Sequence, residues 1–97
     1  DAFARALGLA ERADAALRIG LLLHRESHYA AAAAMFARAF AAGAGPEALY
    51  ENAAALWHGG DTEQALRALE MWGTHFADGP ARVADARRDL ERGAKPA

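Results

Sequence analysis

The strongest constraint in this chain is an internal interval of thirty-three residues. Ala32, Phe36, Ala39 and Phe40 are answered by Ala65, Leu69, Trp72 and Gly73, and Phe36, Ala39 and Phe40 are preceded by Phe3, Ala6 and Leu7. A fixed period of this length in a helical pattern signals stacked repeats rather than one closed core. The composition agrees with helices. Alanine, the best helix former, fills 29 of the 97 positions, whereas Val, Ile and Thr together fill only four, which is poor material for a sheet. The fold class expected is all-α, an α-solenoid of antiparallel helical hairpins with about six helices.

Along the chain, residues 2–10 carry Phe3, Ala6, Leu7 and Ala10 on one face, and the charges of Glu11, Arg12 and Asp14 interrupt that run. Asp14 is suited to cap a second helix over residues 13–25, in which Ala16, Ile19, Gly20 and Leu23 form one apolar stripe and Leu17 and Leu21 a second. A helix that is apolar on two sides is expected to lie between neighbours, and Gly20 to mark a close helix approach. Residues 26–28 make a turn with Ser27 as N-cap, and a third helix covers 29–42. After Gly43-Ala44-Gly45, Pro46 opens a fourth helix to His58 with Leu49, Ala53 and Leu56 inward. Gly59-Gly60 stops it. Asp61 caps a fifth helix, with Gln64 at capping-box spacing, reaching about Phe76. A sixth, from Pro80 to Arg92, has a thin stripe of Val83, Ala86 and Leu90, and residues 93–97 form a frayed tail. The division is therefore a half unit over 1–12, full units over 13–45 and 46–79, and a closing helix over 80–93.

The bulk chemistry narrows the function classes. A net charge of −2 argues against a general nucleic-acid binder. Charge is uneven: residues 1–79 hold six arginines against ten acids, and residues 80–97 five bases against three acids, with Arg87, Arg88 and Arg92 read as a solvated helix face. No apolar run is long enough to insert in a membrane. The chain has no Cys, so disulfides and thiolate metal sites are excluded; this fits a reducing compartment, and the cytoplasm is favoured. The first residue is not Met, and the chain is expected to be a piece of a longer protein.

No catalytic, cofactor or metal site is expected. His24-Arg25-Glu26-Ser27-His28 resembles the zinc-protease spacing only superficially, because Arg25 stands where the catalytic Glu is needed, and a third ligand has no candidate. These histidines read as solvated, and His58 and His75 as helix-end residues favoured by the dipole. No motif places a Ser/His/Asp set, and the glycines lie at turns rather than in phosphate loops.

Two sets of residues carry a resemblance. Ala16, Ile19, Gly20 and Leu23 are followed by Tyr29, Ala32, Phe36, Ala39 and Pro46. Leu49, Asn52, Ala53 and Leu56 are followed by Gly60-Asp61, Ala65, Leu69, Trp72 and Pro80. This pattern, over about residues 1–92, is similar to that of the tetratricopeptide repeat family. The resemblance implies a superhelix whose first helices line a concave groove, and it places Leu17, Leu21, His24, Tyr50, Ala54, Trp57 and Arg88 there. Tyr50 and Trp57, seven apart, share a face and either line the groove or pack between helices. Family members that clamp a chaperone's terminal carboxylate use Lys and Asn, and the matching positions in this chain are Leu17, Leu21 and Ala54, so an apolar or mixed peptide is the expected ligand. The expectation is a non-catalytic scaffold for a peptide or helix. The alternatives are an oligomerising segment, with Phe3 and Leu7 as a homotypic contact, and a regulatory module of a larger enzyme.

Overall fold

A computed structural model describes residues 2–93, with the side chains of Phe3, Ala6 and Leu7 outside the described residues. The homotypic contact expected of Phe3 and Leu7 therefore lies outside them as well. Five helices follow one another: α1 Ala2–Arg25, α2 Tyr29–Ala41, α3 Glu47–His58, α4 Thr62–Gly73 and α5 Gly79–Gly93, with no strand among the described residues.

The count is five rather than six because the first two expected helices are one. Nothing between Ala10 and Asp14 breaks a helix: Glu11, Arg12 and Ala13 are good helix formers, and the charged side chains point to solvent. Asp14 is not a cap. It sits mid-helix and pairs with Arg18 one turn on. At 1.5 Å per residue α1 is about 36 Å long and α2 about 20 Å, so α1 overhangs its partner by about ten residues.

The joint between α1 and α2 is rebuilt thirty-three residues later between α3 and α4. Glu26 N–H donates to Leu22 O, Ser27 N–H to His24 O, His28 N–H to Leu23 O and Ala32 N–H to His28 O. Gly59 N–H donates to Ala55 O, Gly60 N–H to Trp57 O, Asp61 N–H to Leu56 O and Ala65 N–H to Asp61 O. The left-handed residue of the joint is Ser27 (φ 65°) in the first copy and Gly60 (φ 94°) in the second. Ser27 is thus the turn residue and not the N-cap; His28 holds the cap position without a side-chain bond. In the second copy Asp61 does cap, accepting from Gln64 N–H at 3.2 Å. Helix α4 stops at Gly73, three residues short of Phe76, and Thr74 Oγ1 donates to the Met71 carbonyl at its end.

Each helix packs chiefly on the next in sequence, and the molecule measures 49 × 34 × 19 Å. The smallest dimension is about two helix diameters. The interior is built mainly of alanine, and its two largest fully buried side chains, Phe36 and Leu69, occupy equivalent positions of the two copies. Gly20 permits one close approach, since a Cβ there would stand 2.6 Å from Phe36 Cε1. Gly79 permits another, because a Cβ on it would run into the Gly73 carbonyl. The five ion pairs among the described residues, all within single helices or at their ends and all solvated, contribute little. Among the described residues cohesion between helices is mainly apolar, and a part-buried hydrogen bond runs from Asn52 Nδ2 to Ala33 O at 2.7 Å.

Candidate functional site

Tyr50, Ala54 and Trp57 come together on α3. Ala54 is buried in the cluster of Ala53, Ala68, Leu69, Ala86 and Leu90, and Tyr50 and Trp57 lie half-buried against it. Ala54 therefore has little surface left to offer a ligand. Tyr50 keeps an open edge. Its ring stands 5.2 Å from Trp72, which stands 5.2 Å from Phe76, over which the Arg82 guanidinium sits at 4.2 Å. Tyr50, Trp72 and Ala86, with Arg82, Asp85 and Asp89, surround a hollow of about 230 Å³ between α3, α4 and α5. Burial raises the Tyr50 hydroxyl pKa, and the carboxylates of Asp89 and Glu51 raise it further. It is neutral at physiological pH and can both donate and accept a hydrogen bond.

The other expected groove residues divide. Leu17 is half-buried against two clusters shared by α1, α2 and α3. Leu21 is 46% exposed, and Arg88 is exposed and paired with Asp85. His24 is half-buried, and its ring stands 5.3 Å from Tyr29 and 5.4 Å from His58, with Tyr29 and His58 5.8 Å apart. So His24 is packed rather than freely solvated; His58, at the end of α3, is exposed although its ring stands against His24 and Tyr29, and His28, past the end of α1, is exposed. Burial lowers the His58 pKa, and proximity to His24 lowers it again. No group of three or more possible metal ligands occurs among the described residues. Among those residues, too, no helix is long and apolar enough to cross a membrane.

Sequence reasoning misses the outer face of α1. The periodicity places Ile19 inward with Ala16, Gly20 and Leu23; those three turn inward or half-inward, but Ile19 is 46% exposed. Leu9, Leu21 and Leu22 are exposed on the same helix, and Met71 on α4 is the remaining exposed large apolar residue among the described ones. The doubled apolar stripe is the signal. It implies a helix between two neighbours, but the structure supplies one main neighbour, α2. Compared with protein families, with curated proteins and with solved structures, the chain matches none at a significant level.

Proposed function

We propose that the chain is a non-catalytic scaffold, a short solenoid of tetratricopeptide-like hairpins that holds a peptide or helix of another protein. The observation that carries this reading is the joint rebuilt at an interval of thirty-three residues, with the same four backbone hydrogen bonds and the same left-handed position. Repetition of a hairpin, each packed on the next, generates an extended surface rather than an enclosed pocket. Leu21 and the open edge of Tyr50 are the groove positions with most apolar surface to give, and Trp57 and His24 add half-buried rings.

Photo-crosslinking from position 21, followed by capture with Tyr50→Ala and Trp57→Ala variants, tests the reading. Loss of the captured protein with an unchanged melting curve supports a groove. Crosslinking that yields only the chain itself, with a dimer in a sizing run, favours the second reading, an oligomerising segment. That alternative is supported by the exposed apolar residues of α1.

A further inference from the structure

The two hairpins differ in what covers them. On α3 the face bearing Ala48, Asn52 and Ala55 lies under α2. Ala48 is fully buried with Ala16 and Ala39, Ala55 is fully buried with Ala32, Ala33 and Phe36, and Asn52 bonds to the Ala33 carbonyl. Thirty-three residues earlier the same face of α1 bears Ala15, Ile19 and Leu22. The spacing puts them on one stripe, and all three are exposed, Leu22 by 54%. The uncovered stripe is thus more apolar than its covered counterpart, the reverse of what solvation alone favours. Beside it, Ala15, Ile19, Met35 and Ala42 line a hollow of about 330 Å³ flanked by Arg12 and Arg38. No acid lines that hollow. Arg18, Arg67, Arg82, Arg87 and Arg88 each pair with a carboxylate of their own or the adjoining turn, whereas Arg12 and Arg38, like Arg5, Arg25 and Arg92, have no ion-pair partner among the described residues; of these five, Arg12 and Arg38 are the two that flank the hollow.

We propose that the Ala15–Ile19–Leu22 stripe and its hollow dock an amphipathic helix of a partner protein, with small apolar residues on its contacting edge and Asp or Glu on its flanks. The small edge follows from the internal precedent adjusted for size: the helix covering α3 sets Ala32, Ala33 and Ala39, with the single large ring of Phe36, in the clusters that hold Ala48 and Ala55, and Ile19 and Leu22 are bulkier than Asn52 and Ala55, which leaves less room for a ring on the covering side. The acidic flanks follow from the two unpaired guanidinium groups. A second copy placed face to face meets the same surface and brings like charges together, so it is not the fitting occupant. None of the seven proposed groove residues belongs to this site, so the two surfaces fail or stand separately.

The test uses a fluorescent stapled helix of about five turns with an alanine edge and Glu flanks, and a twin with Lys flanks, titrated against the chain by anisotropy. The Glu peptide binds, and the Lys peptide binds roughly tenfold more weakly or worse. Ile19→Asp abolishes binding, with Leu22→Ser as a milder second variant should the first disturb the melting curve. Joint Arg12→Glu and Arg38→Glu reverses the preference toward the Lys peptide, and Tyr50→Ala leaves it unchanged. Failure of both peptides to bind, or binding indifferent to Ile19→Asp and Leu22→Ser, overturns the proposal. So does a dimer of the chain that Ile19→Asp dissociates.

Discussion

Replacing Gly20 and Gly8 by alanine makes the same chemical change on the same helix, and the structure demands opposite signs. In a helix interior the exchange is worth about 1 kcal/mol in favour of alanine, because glycine loses more backbone freedom. At Gly8 nothing lies within 4 Å of the added methyl, so Gly8→Ala gains up to about 1 kcal/mol. At Gly20 the methyl would meet Phe36 at three ring atoms, 2.6 Å from Cε1, 2.8 Å from Cδ1 and 3.0 Å from Cζ. Phe36 is fully buried and has nowhere to swing, so α1 must be pushed off α2. Overpacking costs about 1–3 kcal/mol, and three ring contacts at or below 3.0 Å put this site in the upper part of that range, about 2–3 kcal/mol; less the propensity gain of about 1 kcal/mol, Gly20→Ala is destabilising by about 1–2 kcal/mol net. In a domain of this size that lowers the melting temperature by roughly 4–16 °C, whereas Gly8→Ala raises it by a few degrees. Thermal melts followed by circular dichroism read both. Adding Phe36→Leu to Gly20→Ala relieves the contact, so the double variant is more stable than the sum of the two single changes. A Gly20→Ala protein that melts as high as Gly8→Ala would refute the close approach of α1 to α2 as the reason for glycine at position 20.

Other perturbations act on the joints and on the ring cluster. Ser27→Gly stabilises by about 0.5–1 kcal/mol, because Ser27 holds a left-handed backbone, and Gly60→Ala, at the equivalent place, destabilises by about 1 kcal/mol; denaturant midpoints report both. Asp61→Ala removes the one side-chain cap seen on α2, α3 and α4 and costs about 1 kcal/mol, whereas Ser27→Ala leaves no capping bond to lose; a comparison of urea titrations separates the two. The His58 pKa is lower folded than unfolded, so its contribution is fully present above the unfolded value of about 6.5 and is lost as the pH falls through the folded one. Melting temperatures between neutral and mildly acid pH therefore fall less in His58→Gln, which removes the charge that would form beside His24 and Tyr29; an unchanged slope counts against the packed pair.

The all-helical fold and most of the helix limits are legible in the residues because helices and their joints are local. Gly59-Gly60-Asp61 announces both a stop and a cap, and each is found. The continuity of α1 through residues 11–14 is less legible, for a physical reason: charged side chains interrupt an apolar stripe and Asp14 is a favoured cap residue, but a helix ends where its backbone loses partners, no Gly or Pro stands there, and the Asp14 carboxylate pairs with Arg18 instead of capping. Ser27 misleads because serine is a favoured cap, while only the backbone angle reveals that it substitutes for glycine. The candidate site is harder still to read. A half-buried Trp57 and a groove-lining Trp57 have the same periodicity, and only three-dimensional packing distinguishes Ala54, enclosed by three helices, from Leu21, which is open. Ile19 shows the same limit, since an apolar residue says that a surface prefers cover, not whether cover is present.

Packing of each helix mainly on its sequence neighbour also governs how the protein comes apart. Helix α5 is held chiefly by α4, so its loss leaves the α1–α2–α3 contacts in place. Opening therefore proceeds from an end, like tiles lifting off a row, and amide exchange should be slowest around Phe36 and fastest along α5 and the overhanging start of α1. A ligand lying across several helices ties the tiles together, so that occupancy would be felt as slower exchange even at helices it never touches.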